Sequence, residues 1–323
     1  MANDYKLFMR GALYSPDVST IILPLMATLN AIDTLTRINL DDMLDNFGLR
    51  DLKRGRGAVE KIFWSPAQLL ARQVMQFDQR IGEIGLARAA RELLFQYVDD
   101  LDVIGAANVP PRGGVIIAAN HPGMTDTIAC FAGAPRDLHP VSIDRPFVRV
   151  LPNIAARTFW VSENPNERLT VVRQVARFLQ NGGAVLICPA GQIEPDPAVM
   201  PGAVESLATW SESLGLFVRL APDSVIVPTV ISGVIYAPAL RHPLTRVRKS
   251  QKDRARIAAT LQAALHATGW IKNKMQVKIE FGAPRRATDL IARGDAATIT
   301  RTITDDVKAI IARHARCSKY AIA

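Results

Sequence analysis

Cysteine is scarce in this chain: three residues in 323, Cys130, Cys188 and Cys317, scattered and odd in number. No pair has metal-ligand spacing and no even set suggests a disulfide framework, so a reducing compartment is expected. His139, His242, His266 and His314 stand isolated, and no metal site is expected from them. Long apolar runs are also missing. The longest, Thr20 to Ile32, is broken by Pro24 and Asn30. It falls short of the roughly 20 residues that a spanning helix needs. The opening Met1 to Arg10 mixes charges with apolar residues, and no secretory signal is read there. No G-x-S-x-G elbow, internal repeat or low-complexity segment occurs.

What is present is a large apolar fraction and an excess of positive charge. Hydrophobic residues make up 49% of the chain, enough for one large α/β domain and a smaller helical one. Net charge is +9, and the excess lies late: from Arg241 onward there are 18 Lys plus Arg against 6 Asp plus Glu. A basic face implies an anionic partner. Nucleic acid is not expected, because aromatic residues do not interleave the basic ones. An anionic membrane surface, an acidic carrier protein or a phosphate-bearing small molecule remain.

Residues 1–100 read as a helical subdomain. Asp17 to Asp33 carries Ile21, Ile22, Leu25, Met26, Leu29 and Ile32 at helical spacing. Ala58 to Ile81 reads as a long helix in which Pro66 either makes a kink or starts a new helix. Leu86 to Val98 continues the helical pattern. Residues 101–323 read as an α/β domain with a basic, helical C-terminal region. Its strands are placed at 101–105, 115–119, 139–143, 157–161, 184–188, 225–231 and 275–281. Helices alternate with them, which predicts a mainly parallel or mixed central sheet flanked by helices. Pro228 predicts that its strand is an edge or carries a bulge. Asn181-Gly182-Gly183 predicts a helix stop.

The chemistry concentrates where buried strands end. Gly114-Val115-Ile116-Ile117-Ala118-Ala119 runs into Asn120-His121-Pro122-Gly123-Met124-Thr125-Asp126, and a helix follows. Ligands of open α/β sheets gather at that edge. A loop can fold Asp126 back on the imidazole of His121. It would fix the tautomer and leave the other ring nitrogen to take a proton from an alcohol. A plain helix N-cap, with Thr125 competing for the role, is the simpler alternative for Asp126. A second stretch has the same layout: Ile187-Cys188-Pro189-Ala190-Gly191-Gln192-Ile193-Glu194-Pro195-Asp196 empties a buried strand into a loop holding carboxylates. Loop amides at such an edge can cradle a phosphate or polarise a carbonyl.

Taken in order, these blocks resemble the glycerophospholipid acyltransferase superfamily, which includes lysophosphatidic acid acyltransferases. Gly105-Ala106-Ala107-Asn108-Val109-Pro110 resembles its G-x-x-N-x-P, and Asn120-His121 with Asp126 its N-H-x-x-x-x-D. Val141 to Arg145 with Pro152 is similar to a segment holding a basic residue and then a proline. Cys188-Pro189-Ala190-Gly191 resembles F-P-E-G, and Met200-Pro201-Gly202-Ala203 a later K-G-A. Ile226 to Val230 resembles the last strand block, and Lys278 to Pro284 the closing G-x-P. The resemblance covers about residues 101–290.

It implies an O-acyltransferase with no cofactor beyond its co-substrate, an acyl-CoA or acyl carrier protein. His121 would be the general base and Asp126 its orienting partner, with direct transfer to a lysophospholipid-like hydroxyl. Asn120, Arg145, Arg168, Pro189, Gly191, Glu194 and Gly202 would serve substrate binding. Location would be cytoplasmic, peripheral at the inner face of an anionic membrane. Two positions depart from the pattern. Ala190 replaces the F-P-E-G glutamate, with Glu194 four residues on. Glu163 stands where a phosphate-gripping arginine is usual, with Arg168 as the next candidate. A carboxylate there disfavours a phosphate monoester acceptor. A non-catalytic lipid-binding protein of the same fold, or a hydrolase using the same dyad, are the alternatives.

Overall fold

The computed structural model describes residues 16–123, 125–162, 164–248, 250–270 and 275–317. The chain forms two compact units that divide at Gln76–Phe77. The first contains helix α1 (Pro16–Phe47) and most of α2 (Arg56–Ile84). α1 runs well past the 17–33 span expected of it, because Leu35, Leu40, Met43 and Leu44 continue an inward-facing pattern. Leu40, Met43 and Leu44 bury against Ala67 and Leu70 of α2. The Asn39 amide donates to the Ala67 carbonyl at 3.1 Å. α2 passes through Pro66 as one element.

The helical pattern runs on past this division into α3 (Leu86–Leu94). That helix buries Leu86, Ala89, Ala90, Leu93 and Leu94 and packs on α4 (Asp126–Gly133), so it belongs with the sheet.

The second unit is built on an eight-stranded mixed sheet. Its strands are β1 (Val98–Ile104), β2 (Val115–Ala119), β3 (His139–Ile143), β4 (Phe159–Val161), β5 (Ala184–Ile187), β6 (Val225–Ser232), β7 (Met275–Phe281) and the short β8 (Arg285–Arg286). The order is β1-β7-β6-β2-β5-β3-β4, with β8 also on β6. β6, β2, β5, β3 and β4 are mutually parallel. β7 runs antiparallel to β6, and β1 parallel to β7. The α/β class and mixed sheet are those expected. The remaining helices are α5 (Pro146–Arg149), α6 (Pro152–Ala155), α7 (Pro165–Gln180), α8 (Ser213–Leu220), α9 (Ala237–Leu240), α10 (Gln251–Ala267), α11 (Ala287–Ile291) and α12 (Ala296–Cys317).

β2 and β5 are buried along their whole length, as central parallel strands should be. Ile116, Ala118, Val185, Ile187, Ile226 and Val230 share one core with α7, α8 and α12. Burying each such side chain contributes about 1.5–3 kcal/mol. α7 stops where the glycines predict: Gly182 has φ +82°, and the Gly182 and Gly183 amides donate back to Leu179 and Phe178.

Pro228 does not mark an edge, since β6 lies between β2 and β7. β8 pairs with Val225 and Ile226, and β7 pairs with Thr229 onward. The proline falls in the break between those two pairings. It lacks an N–H, and that position asks for none; its carbonyl accepts the Gly282 amide at 2.8 Å.

The Gly105 to Pro110 block has a physical cause. Gly105 adopts φ +70°, and a Cβ there would stand 2.2 Å from the Phe281 carbonyl oxygen. Asn108 donates its amide to that same oxygen at 2.8 Å. The block thus locks the end of β1 onto the end of β7. Gly105→Ala combines a left-handed backbone with a steric clash, and a stability loss of about 1–3 kcal/mol is expected. Denaturant titration that shows an unchanged midpoint would contradict this.

Candidate active site

β2 ends at Ala119 and α4 begins at Asp126, so His121 lies on the carboxyl edge of the parallel strands. Asn120 fixes the exit of the chain. It is buried; its side-chain amide donates to the Ile231 carbonyl at 2.9 Å, and its oxygen accepts the Ile231 N–H at 2.8 Å. This continues the β2–β6 ladder by one side chain. The residue proposed for substrate binding on sequence grounds is thus held by the neighbouring backbone.

His121 Nδ1 lies 2.7 Å from Asp126 Oδ2. Asp126 is completely buried, while the imidazole retains 28% of its side-chain exposure. Oδ2 also accepts the Gly123 N–H at 2.9 Å. Oδ1 accepts the Thr127 N–H and, at 3.0 Å, the Thr127 hydroxyl. Asp126 therefore sits at the first position of α4 and bonds both its own helix start and the histidine. Thr125 is the N-cap by position but makes no side-chain cap bond, and its buried hydroxyl has no partner among the described residues.

Glu194 grips the same histidine from the other side. The His121 N–H donates to Glu194 Oε2 at 2.9 Å, and the Glu194 N–H donates to the His121 carbonyl at 2.8 Å. The second carboxylate oxygen, Oε1, accepts Ser206 Oγ and Trp210 Nε1, both at 3.0 Å. The Ser206 N–H donates to the Gly202 carbonyl, and Gly202 has φ +91°. Gly202 thus makes the turn that delivers Ser206 to Glu194. Pro189 accepts the Ser211 N–H, and Gly191, at φ +61°, closes a tight turn onto Cys188.

Asp196, two residues further, was not singled out by sequence reasoning. Its buried carboxylate accepts four backbone N–H groups, from Ala198, Gly233, Val234 and Ile235, at 2.8–3.0 Å. Its only signal in the sequence was its place in a carboxylate-bearing loop after a buried strand. Its effect on the site is indirect. A Cβ on Gly123 would press on Val234 and Ile235 at 3.3–3.4 Å. The segment that Asp196 holds is therefore the surface against which the His121–Asp126 turn is moulded.

The cations lie at different depths. Arg145 follows β3 at the same edge, is exposed, and its charge is felt at His121. Arg168, exposed near the start of α7, donates to the Ser162 carbonyl at 2.9 Å. β4, which precedes it, is three strand positions from β2, roughly 14 Å away. Glu163 lies outside the described residues.

Electrostatics fit a base with a set tautomer. Burial pulls the His121 pKa down, but the Asp126 charge and hydrogen bond, with Glu194 behind them, outweigh it; Arg145 opposes them, and the net shift is upward. Burial pushes the Glu194 and Asp196 carboxyls up, against the pull of their hydrogen bonds. Burial also pushes both Cys130 and Cys188 thiols well up, so neither supplies a thiolate. No cluster of three metal-ligating side chains occurs among the described residues.

No protein-family model and no curated protein matches this sequence. Among solved structures, the 1-acyl-sn-glycerophosphate (LPA) acyltransferase PlsC from Thermotoga maritima is similar at 16% identity and a TM-score of 0.45. That alignment covers 90% of this chain and 96% of the other.

Two predictions follow from this geometry. Because the folded His121 pKa is raised, its imidazolium pair with Asp126 stabilises the fold fully below the ordinary histidine value of 6.5. That contribution is lost as pH rises through the raised value. Denaturation of wild type and Asp126→Asn from pH 5 to pH 9 should show a stability gap that is widest in acid and narrows above neutrality. A gap independent of pH would refute the ion pair. Separately, Glu194→Ala should leave the His121 N–H without its acceptor and lower turnover by roughly 10²-fold through misplacement. Glu194→Gln, which can still accept one bond, should recover part of the loss. Equal activity for the Ala and Gln variants would contradict a positioning role.

Proposed function

We propose that this chain is an O-acyltransferase that moves a fatty acyl group from a thioester, acyl-CoA or acyl carrier protein, to the hydroxyl of a lysophospholipid-like acceptor. One observation carries the reading: a half-exposed histidine bonded at 2.7 Å, through Nδ1, to a completely buried aspartate. Nδ1 is committed to Asp126, so Nε2 is the nitrogen left to work. The ordered blocks from Gly105 to Pro284 that resemble the glycerophospholipid acyltransferases support the same reading.

In the proposed reaction, Nε2 of His121 removes the proton from the acceptor hydroxyl. The alkoxide oxygen attacks the thioester carbonyl and forms a C–O bond. The tetrahedral intermediate collapses, the C–S bond breaks, and the imidazolium returns its proton to the leaving thiolate. Asp126 stabilises the imidazolium between the two proton transfers. The transfer is direct, with no acyl-enzyme, in keeping with thiols whose proton affinity burial raises and with the lack of a serine elbow.

Oxyanion stabilisation falls to Arg145 in this account. Four of the loop amides are already engaged: His121 with Glu194, Gly123 with Asp126, Glu194 with His121, and Gly191 with Cys188. Arg145 is the exposed cation whose charge reaches the imidazole. The acceptor head is assigned as zwitterionic or cationic rather than a phosphate monoester. The acid at Glu163, where a phosphate-gripping arginine is usual in the resembling family, supports this. The basic excess after Arg241, and the absence of a membrane-spanning helix among the described residues, support a peripheral role at an anionic lipid surface.

The test is incubation with labelled acyl-CoA or acyl carrier protein and a panel of lyso-lipids, read by product mass. Wild type should give acylated lipid, with lysophosphatidate a poor acceptor. His121→Ala should lose activity on the order of 10³-fold or more. Arg145→Gln should lower turnover by about 10²-fold. It should also move the ascending limb of the pH–rate profile upward, because a charge that depresses the histidine has gone. Free fatty acid as the only product would establish a hydrolase. Lipid binding without any product would establish a non-catalytic binder.

A further inference from the structure

Immediately after β6 the chain stays at the edge that holds His121. It passes through α9 into a short 3₁₀ turn, Pro243–Val247, before α10 begins. This turn exposes apolar side chains: Val247 is 68% exposed and Leu244 44%. Such exposure in a slack loop would mean little, but this turn is rooted. Thr245 is buried, and its hydroxyl donates to the Leu240 and His242 carbonyls at 3.1 and 2.8 Å. His242 accepts the Leu244 N–H, and Arg254 of α10 donates to the Arg248 carbonyl at 2.9 Å. Upstream, Asp196 holds residues 233–235, and Gln262 of α10 bonds both the Tyr236 N–H and the Val234 carbonyl. The root is held by polar contacts, while the tip is apolar and solvent-facing.

The rim is strongly cationic. From Ala237 to Arg254 the sequence holds Arg241, Arg246, Arg248, Lys249, Lys252 and Arg254 against a single acidic residue, Asp253. Arg241, Arg246 and Arg254 are exposed. A polyanion in water would be met by the arginines alone and would gain nothing from Leu244 and Val247. An anionic bilayer meets both: its headgroups face the arginines, and its acyl boundary takes the apolar tip.

We infer that the turn Pro243–Val247 is a membrane wedge, whose Leu244 and Val247 enter the interface of an anionic bilayer while the flanking arginines contact its headgroups. The acyl-transfer reading supplies the reason: an insoluble acceptor must reach a site on the same sheet edge. The binding itself can be measured without turnover, so the two ideas fail separately.

The experiment is co-sedimentation of the full chain with phosphatidylcholine vesicles, with and without about one third phosphatidylglycerol, at low and high salt. Wild type should bind the anionic vesicles, release them at high salt, and leave neutral vesicles largely unbound. Leu244→Ser/Val247→Ser should weaken partitioning by roughly tenfold or more at unchanged net charge and unchanged thermal midpoint. Val247→Trp serves as a gain-of-signal variant, and its added fluorescence should shift to the blue on anionic vesicles. The inference is overturned if the double serine variant binds as wild type does, or if the Val247→Trp emission does not move. It is also overturned if duplex DNA outcompetes anionic vesicles for wild type and the serine pair leaves that DNA binding intact. In a parallel arm, wild type and the double variant should acylate a water-soluble short-chain acceptor equally. Absence of that activity in wild type would defeat the acyl-transfer reading and leave the vesicle result standing.

Discussion

Burying a carboxylate is expensive unless its oxygens are fully satisfied. The working edge of this protein is built from three such groups. Asp196 takes four backbone N–H groups, Glu194 takes one backbone N–H and two side-chain donors, and Asp126 takes two N–H groups, a hydroxyl and the imidazole. Glu194 ties the end of β2 to the loop after β5, Asp196 ties that loop to the loop after β6, and Asp126 closes the turn between β2 and α4. Removing one partner from such a network commonly costs about 3–5 kcal/mol. The three loops therefore hold one geometry together, and the histidine inherits its position from them.

This arrangement separates two tasks that one acid could not perform. Asp126 governs the ring of His121: its tautomer, its rotation and its affinity for a proton. Glu194 governs the backbone of His121, and its own charge adds to the upward pull on the imidazole. Arg145 pulls the other way. The imidazole is thus tuned by opposed charges at one edge, a pattern typical of sites where proton affinity matters. The exposed part of the ring faces outward from a rigid base rather than from a mobile loop tip.

The fold was legible where periodicity and punctuation were strong. The all-apolar run at Val115 to Ala119, the glycines that stop α7, and the His121–Asp126 spacing each had a local cause and appear as read. What stayed hidden depends on contacts between segments far apart in sequence. α3 looks like more N-terminal helix until it is seen packed on α4. Pro228 reads as an edge signal because nothing local reveals that β7 and β8 leave a break opposite it. Glu194 could be suspected, but its partners Ser206 and Trp210 could not. Asp196 was hard to read as a site residue, since three of its four donors lie about 40 positions downstream. Asn120 reads as part of a reactive motif, yet its amide closes the β2–β6 ladder instead.

The central claim is that Asp126 fixes His121 with a proton on Nδ1 and a bare Nε2 facing substrate. The most direct measurement is nitrogen-15 NMR of the selectively labelled His121 ring at a pH above its titration. The account predicts a protonated Nδ1 and an unprotonated Nε2 in wild type, with that preference weakened in Asp126→Asn. A ring that carries its proton on Nε2, or one that averages both tautomers in wild type, would contradict it.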